Sequence, residues 1–550
     1  MSVLLKISLH SIFKLFKIKN ILLSFRKNSV NYDMEVFNLF RYIKTLIDLY
    51  TKPTIKKREN QNDNAIEESL SENIKYFKDQ FDGSADLTVR EIDIDGTKAA
   101  IISIEGMINK ETLANSVINP IMRGDYKKKD ALDKYLYLRD SLLSTSEQVE
   151  VNTYEQAFKL AMSGFVLLAV DGCAFILAIG IQGFSFRSVS EPNSEVMQRG
   201  SNEGFVEPLR INMTLIRRRI KNPKLKFETM QLGTISKTDI ALCYLTDIVS
   251  SKILNEVKVR LQEVDLDTII ASGYITPYLE DKKDLSFFSG VGISERPDTV
   301  CGKISEGRIA ILVDGVPDVI IVPYLFVEYF QTLDDYESRP YFATFTRWLK
   351  YLAFFISAFL PGLYVTIGTF NPELFPDELL NKIAVSVSET PFNLMIEALI
   401  IHFIYEIMRE AGLRLPKTLG HAVSIVGALV IGEAAVNSSL IGAPTLMILA
   451  ITAISSYVIP KLYEPIAILR FIFIIIGGTM GIWGIMLLFS AILVNICAKN
   501  SFGVPFTAPL SPFSLFGMRD VAIRAGWKIL GKRENVVQTM PGSNVRDEES

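Results

Sequence analysis

The sequence has few of the residues on which metal sites and disulfide frameworks depend. Its 550 residues include only four cysteines and three histidines. Cys173, Cys243, Cys301 and Cys497 stand far apart, without the paired spacing that zinc sites and disulfide frameworks require. We therefore expect no metal and no cofactor, and we interpret the thiols as buried or incidental.

Enzyme and nucleic-acid signatures are missing as well. The sequence has no Walker lysine loop, no His-Glu-x-x-His and no Gly-x-Ser-x-Gly motif. His10, His402 and His421 have no plausible catalytic partner nearby in the sequence, so packing or interface roles are expected. A formal net charge of -3 without a dense basic face argues against a nucleic-acid partner. These absences predict that the chain is not an enzyme.

The amino terminus lacks the uninterrupted apolar core and the small-residue cleavage site of a signal peptide. Residues 1–27 instead mix lysines with apolar residues in an amphipathic pattern, typical also of a basic helix lying on a membrane or a partner. Residues 51–72 are polar and read as a solvated linker. We therefore expect the soluble part of the chain to stay in the cytosol.

Short apolar runs separated by turn residues predict two soluble lobes. The runs 99–104, 165–170 and 309–313 read as buried strands, and 66–81 and 113–144 as helical. Asp171-Gly172 and Asp314-Gly315 each stand between two apolar runs, which is a strong hairpin signal because glycine accepts the positive φ of tight turns. The window 164–181 is also apolar enough for a short membrane helix, but the central Asp171 favours the hairpin. The similar hairpins hint at two related lobes.

Long apolar runs occur after Tyr341, where each membrane crossing needs about 20 residues. Candidate crossings are 349–366, 384–408, 423–440, 445–459 and 466–496. The last is long for one crossing, and its glycines leave open one tilted helix or a tight pair. The fold class expected is an α+β cytosolic module of two α/β lobes followed by an all-α multi-pass membrane domain. The expected division is an extension and linker (1–60), lobes at 61–160 and 161–340, the transmembrane domain (341–500) and a cytoplasmic tail (501–550).

Polar groups inside the apolar segments are the candidate functional residues, because an ionisable group in lipid is costly unless it faces protein or water. Glu389, Asn393 and Glu397 recur every four residues, so a continuous helix would place them on one stripe. On the next segment Glu433 and Asn437 share a face with two valines, and small residues suited to close helix packing line the opposite face. The valines are Val426 and Val430, and the small residues are Ser424, Gly427, Ala428, Ala435 and Ser438. The polar face could line a cation pathway, or its carboxylates could pair with Arg409 or Arg414 and hold the bundle together.

Several arginines are candidates for contacts between subunits. Arg187 and the run Arg217-Arg218-Arg219 lie in a charge-rich stretch of the soluble part, and Arg409 and Arg414 follow a predicted crossing. A solvated helix with internal salt bridges is the alternative for the arginine run.

Nine stretches in a fixed order resemble the A subunit of the GerA-type spore germination receptors. They include GFVEPLRINMTLIRRRIKNPKL from Gly204, EGRIAILVDGVPDVIIVP from Glu306, REAGLRLP from Arg409, GHAVSIVGALVIGEAAVNSSLIGAP from Gly420 and NSFGVPFTAPLSPF from Asn500. The resemblance covers residues 154–527, and it departs at Glu433, where glutamine would be expected.

The resemblance implies a nutrient receptor subunit in the inner membrane of a bacterial spore. Its implied partners are the membrane, a B subunit that looks like an amino-acid transporter and a C subunit that is a lipoprotein. It also implies a homo-oligomer around a ligand-gated cation pore. A subunit resembling a secondary transporter, or one that serves only as a scaffold, remains the alternative.

Overall fold

The computed structural model describes residues 65–126, 130–143, 147–183, 192, 195, 197, 199–281, 286–415, 432–530 and 536–545. The predicted extension at 1–60 therefore lies outside the described residues. The contacts below belong to one compact unit, residues 61–526 with 532–550, and the short helix Trp527–Leu530 belongs to a separate one.

The first lobe is a five-stranded antiparallel sheet covered on both faces. Its main elements are α1 (Leu70–Phe81), β1 (Leu87–Ile94), β2 (Thr97–Ile104), α2 (Ala131–Tyr137), β3 (Gln148–Val151), α3 (Tyr154–Ala161), β4 (Phe165–Val170) and β5 (Ile176–Gly180). The stretch 113–144 predicted to be helical forms two helical segments: Lys110–Thr112, Leu113–Ile118 and Asn119–Arg123 follow one another directly, and Leu138–Leu142 continues α2. The strand order is β1-β2-β4-β5-β3. Every residue of β4 is buried, because separate apolar cores pack on the two faces of the sheet.

The second lobe repeats this arrangement. Its main elements are α4 (Leu209–Arg219), β6 (Leu225–Leu232), β7 (Thr238–Leu245), α5 (Ser251–Gln262), β8 (Gly292–Ser294), α6 (Pro297–Ser305), β9 (Ile309–Val313) and β10 (Val319–Val322), with a short helix Thr276–Leu279. The order β6-β7-β9-β10-β8 is the same as in the first lobe. Two apolar cores again cover the two faces.

The Asp-Gly turns make the same contact in both lobes. Asp171 Oδ1 accepts a hydrogen bond from the Leu70 amide at 2.9 Å, and Asp314 Oδ1 accepts one from the Leu209 amide at 2.9 Å. Each aspartate thereby satisfies an amide at the start of a helix. The following glycines have φ of 85° and 89°, as tight hairpins require. The predicted hairpins are confirmed, and 164–181 is not a membrane helix.

The predicted boundary between the lobes at 160/161 is wrong. Strand β4 pairs with β2, with Ala99 opposite Val170, so the hairpin of β4 and β5 belongs to the first lobe. Local turn signals show a hairpin but not the sheet that it joins.

The helical region contains α7 (Pro340–Phe370), α8 (Asp377–Glu389), α9 (Leu394–Arg414), a helical segment at 432–437, α10 (Ala443–Tyr457) and α11 (Tyr463–Ala498). Among the described residues, two helices, α7 and Pro460–Ala498, are long and apolar enough to cross a membrane. The number is three if the bent pair formed by α8 and α9 is counted as one span.

Helix α11 is a tight pair of arms that reverses at Gly481, where φ is 64° and ψ is -154°. The ring of Phe359 on α7 lies 4.3 Å from that of Phe473 and 5.3 Å from that of Phe489, between centroids. These two phenylalanines lie 16 positions apart, or about 24 Å along a straight helix. A single tilted helix could not place both phenylalanines against one ring. Of the two possibilities for 466–496, one tilted helix or a tight pair, the structure has the pair.

The segment after α11 returns to the second lobe. Strands β11 (Asn500–Ser501) and β12 (Val504–Pro505) form a small hairpin, and the Ser501 hydroxyl donates to the Gly290 carbonyl at 2.8 Å. Val504 and Val537 are fully buried in the core of that lobe. The segment predicted as a tail at 501–550 thus contributes to a folded core.

Candidate functional site

The acidic residues predicted on one stripe lie on two helices. Glu389 ends α8, whereas Asn393 caps α9, its Oδ1 accepting from the Ile396 amide at 2.9 Å. The two helices are bent by 79°. The expectation of a continuous helix through Glu389, Asn393 and Glu397 is therefore wrong. Glu389 and Asn393 are both exposed.

Glu397 connects two helices. It is fully buried, and its Oε1 accepts from the Gly442 amide at 2.6 Å, at the start of α10. A carboxylate at a helix N-terminus is stabilised by unsatisfied amides and by the helix dipole. In this structure Glu397 therefore holds α9 against α10.

Another fully buried charge of the helical region is Arg470, on the first arm of α11. Its side chain is completely buried, and it donates to the Ser357 carbonyl of α7 at 3.0 Å and to Glu406 of α9 at 3.3 Å. The Tyr463 hydroxyl donates to the other oxygen of Glu406 at 2.5 Å. We call Ser357, His402, Tyr405, Glu406, Tyr463 and Arg470 the Arg470 cluster, which joins α7, α9 and α11. Arg470 was not among the predicted site residues, although an arginine inside an apolar run is itself a signal of a buried polar site.

Glu433 and Asn437 are exposed in the isolated chain. They lie four positions apart in the helical segment 432–437 and hence on the same side. Ala435 packs against a small apolar core with Ile401 and Leu449, while Ser438 is exposed. The other residues predicted for this segment lie outside the described residues: Ser424, Val426, Gly427, Ala428 and Val430.

Arg217 is not available to another subunit, so that prediction is wrong. Its side chain is 1% exposed, and it forms a two-pronged ion pair with Asp86 of the first lobe, at 2.6 and 2.9 Å. The guanidinium also lies over the rings of Phe81 and Phe227. The residue joins the two lobes inside one chain, a contact that only the tertiary structure reveals.

The remaining arginines make contacts within the chain as well. Arg218 and Arg219 both pair with Glu203 and are partly exposed. Arg409 lies over the Tyr463 ring, and Arg414 pairs with Glu410 on the exposed face of α9. Arg187 lies outside the described residues.

A second buried charge cluster lies at the junction of the second lobe with α7. Arg347 is fully buried and contacts Asp335 at 3.3 Å and Asp520 at 3.0 Å, while Lys350 contacts Asp335 at 2.9 Å. Burial raises the pKa of Asp520, although Arg347 and Tyr336 oppose that rise. The partner Asp520 of Arg347 comes from the chain beyond α11.

A two-lobed α/β module packed onto long apolar helices defines a membrane-associated protein with a large soluble part. Comparisons with known proteins identify its family. The model of the family described as "Bacillus/Clostridium GerA spore germination protein" matches residues 75–536. The chain therefore belongs to the GerA family of spore germination proteins.

Individual relatives cover most of the chain. It is 40% identical over 487 residues to spore germination protein KA of Bacillus subtilis (strain 168), which covers 88% of this chain and 89% of that protein. It is 31% identical to spore germination protein GerLA of Bacillus cereus, over 88% of this chain and 98% of that protein. A crystal structure of the N-terminal domain of the A subunit of the Bacillus megaterium spore germinant receptor GerK3 is 29% identical. It covers 48% of this chain and 99% of that chain, with a TM-score of 0.38.

Proposed function

We propose that this chain is a germinant receptor subunit and that several copies assemble around a cation-conducting pore in the spore inner membrane. The family match supports a role in germination, because it extends through both lobes and the helical region. The similarity to spore germination proteins KA and GerLA also extends over nearly the whole length of each of these relatives.

The different surroundings of the acidic residues carry the pore proposal. Glu397 and Glu406 have partners inside the bundle, whereas Glu433 is exposed on a segment next to apolar helices. An exposed carboxylate in such a region needs water or neighbouring protein. A ring of Glu433 and Asn437 from several copies would supply both and would attract cations.

The partners proposed are those of the receptor family. A B subunit resembling an amino-acid transporter would sense the nutrient, and a lipoprotein C subunit would complete the complex. The soluble lobes would lie in the cytosol and relay the signal to the helices.

Single-channel recording of the purified chain in a planar bilayer tests the pore. Stepwise cation currents are expected, and Glu433→Gln should change their amplitude or ion selectivity without changing assembly. Glu410→Gln is the matched control, because Glu410 is also exposed and acidic but pairs with Arg414 on its own helix. Equal currents from Glu433→Gln and the unaltered chain would reduce Glu433 to a scaffolding residue.

A carrier is the second candidate, favoured by the interruptions between α8 and α9 and at Gly481. Transporter sites are commonly built at such broken helices. Uptake of a labelled solute coupled to an ion gradient, without stepwise current, would support the carrier over the channel.

A further inference from the structure

Arg470 has a donor that no described residue accepts. Its Nε and Nη1 atoms are hydrogen-bonded to Ser357 and Glu406, but Nη2 has no hydrogen-bond partner among the described residues. The side chain is completely buried. Leaving a buried polar group unpaired is destabilising, and more so for a charged group.

His402 has a complementary unpaired atom. Its Nδ1 lies 2.7 Å from the Ala398 carbonyl, and because a carbonyl only accepts, Nδ1 carries the proton. In the uncharged ring Nε2 is then an acceptor. Nε2 is buried and has no partner in the part of the chain that the structure describes.

These two atoms belong to one contact between α9 and α11. His402, Tyr405 and Glu406 share a face of α9 through their spacing of three and four residues. Arg470 bonds Glu406, one helical turn beyond His402, and its guanidinium lies 6.0 Å from the centre of the Tyr405 ring. A donor without an acceptor on α11 and an acceptor without a donor on α9 therefore belong to the same packing contact between the two helices.

We propose that a buried water molecule occupies this contact, donating to His402 Nε2 and accepting from Arg470 Nη2. Buried waters form such bridges between otherwise unsatisfied groups. The water gives the guanidinium a partner that moves with it, so α9 and α11 can shift without exposing a bare charge to apolar surroundings. This hydrated site does not depend on whether the protein conducts ions.

X-ray radiolytic labelling with mass spectrometry tests this proposal, because the hydroxyl radicals form from water beside the side chain that they modify. The full chain in lipid nanodiscs is irradiated, and the modification rate of Tyr405 is compared with two other tyrosines. Tyr324 is the buried control, with its hydroxyl donating to the Glu328 carbonyl, and Tyr274 is the exposed control on the second lobe. We expect Tyr405 to react several-fold faster than Tyr324.

Two variants separate bound water from simple exposure of the ring. His402→Phe removes the acceptor and should reduce Tyr405 labelling to the rate of Tyr324, whereas His402→Gln keeps an acceptor and should retain it. Labelling of Tyr405 at the rate of Tyr324 in the unaltered chain would overturn the proposal. Fast labelling that persists in a folded His402→Phe chain would also overturn it, because the water would then enter from outside.

Discussion

At the residue scale, the ion pair of Arg217 with Asp86 is expected to be the strongest single link between the two lobes. Both side chains are almost completely buried, so removing one partner leaves a buried charge, at a cost of about 3–5 kcal/mol. Arg217→Met should lower the free energy of unfolding of the purified chain in urea by about that amount. Arg218→Met is the control, because its partner Glu203 is partly exposed, and it should cost about 1 kcal/mol or less. Similar losses in both variants would contradict the assignment of Arg217 as the link.

Glu328 is expected to make the second lobe sensitive to acid. Burial by itself raises its pKa, but the charges of Arg308 and Lys303 outweigh burial, and the pKa is lowered below its usual value. A lowered pKa means that the stabilisation is complete above the unfolded pKa of about 4.3 and is lost as the pH falls through the folded pKa. Glu328→Gln should therefore unfold more easily at neutral pH, and the difference from the unaltered chain should shrink as the pH falls below about 4.3. Urea titrations at a series of pH values measure this; a difference that does not depend on pH would rule out the carboxylate as its source.

At the element scale, sequence patterns predicted structures that depend on local chemistry. The hairpins at Asp171 and Asp314 follow from turn residues between apolar runs, and their strands have nearly the predicted bounds. The break between α8 and α9 was missed because hydropathy dominated the interpretation of 384–408. Pro391 and the capping Asn393 were available signals, since a proline disfavours helix in the residue before it.

Contacts between distant segments were beyond a single sequence. Nothing in the run around Arg217 indicates that Asp86, 131 positions earlier, is its partner. The same holds for Arg347 and Asp520, which come from opposite ends of the helical region. A charged residue can be recognised as a candidate from its apolar neighbours, but its partner depends on the tertiary fold.

Gly481 is predicted to be indispensable to the two-armed shape of α11. Its φ and ψ lie in a region that is essentially restricted to glycine, and any other residue there costs about 1–3 kcal/mol. A Cβ at this position would also come within 3.3 Å of the Phe370 ring. Gly481→Ala should therefore reduce the yield of folded, protease-resistant protein extracted from membranes.

Gly302 on α6 is the matched control for this substitution. A Cβ there meets nothing within 4 Å, and alanine favours helix over glycine by about 1 kcal/mol. Gly302→Ala should thus leave the yield unchanged or raise it. Normal recovery of the Gly481→Ala protein would mean that the reversal tolerates an ordinary residue.

At the scale of the whole molecule, the second lobe and the base of the helices share one apolar core. Phe288 and Phe330 of the lobe belong to the same buried cluster as Phe354 of α7 and Leu469 of α11. The segments that flank α11 return to this lobe: Lys461 pairs with Glu195, and the Ser501 hydroxyl donates to the Gly290 carbonyl. A displacement of the second lobe would therefore be transmitted directly to α7 and to both arms of α11.

The chain beyond α11 packs into the core of the second lobe. Truncating it tests how much it stabilises that lobe. The Val537 amide donates to the Glu306 carbonyl at 3.1 Å, and Val537 and Val545 are buried in the core of the second lobe. A chain ending at residue 535 loses both valines, each worth about 1.5–3 kcal/mol when buried, while a chain ending at residue 545 keeps them. Hydrogen exchange should show faster exchange in β9 and α6 of the shorter chain and unchanged protection in β4 of the first lobe. If β9 stays fully protected without residues 536–545, the segment does not stabilise the second lobe, and the contact of that lobe with α7 depends on the shared apolar core and on Arg347.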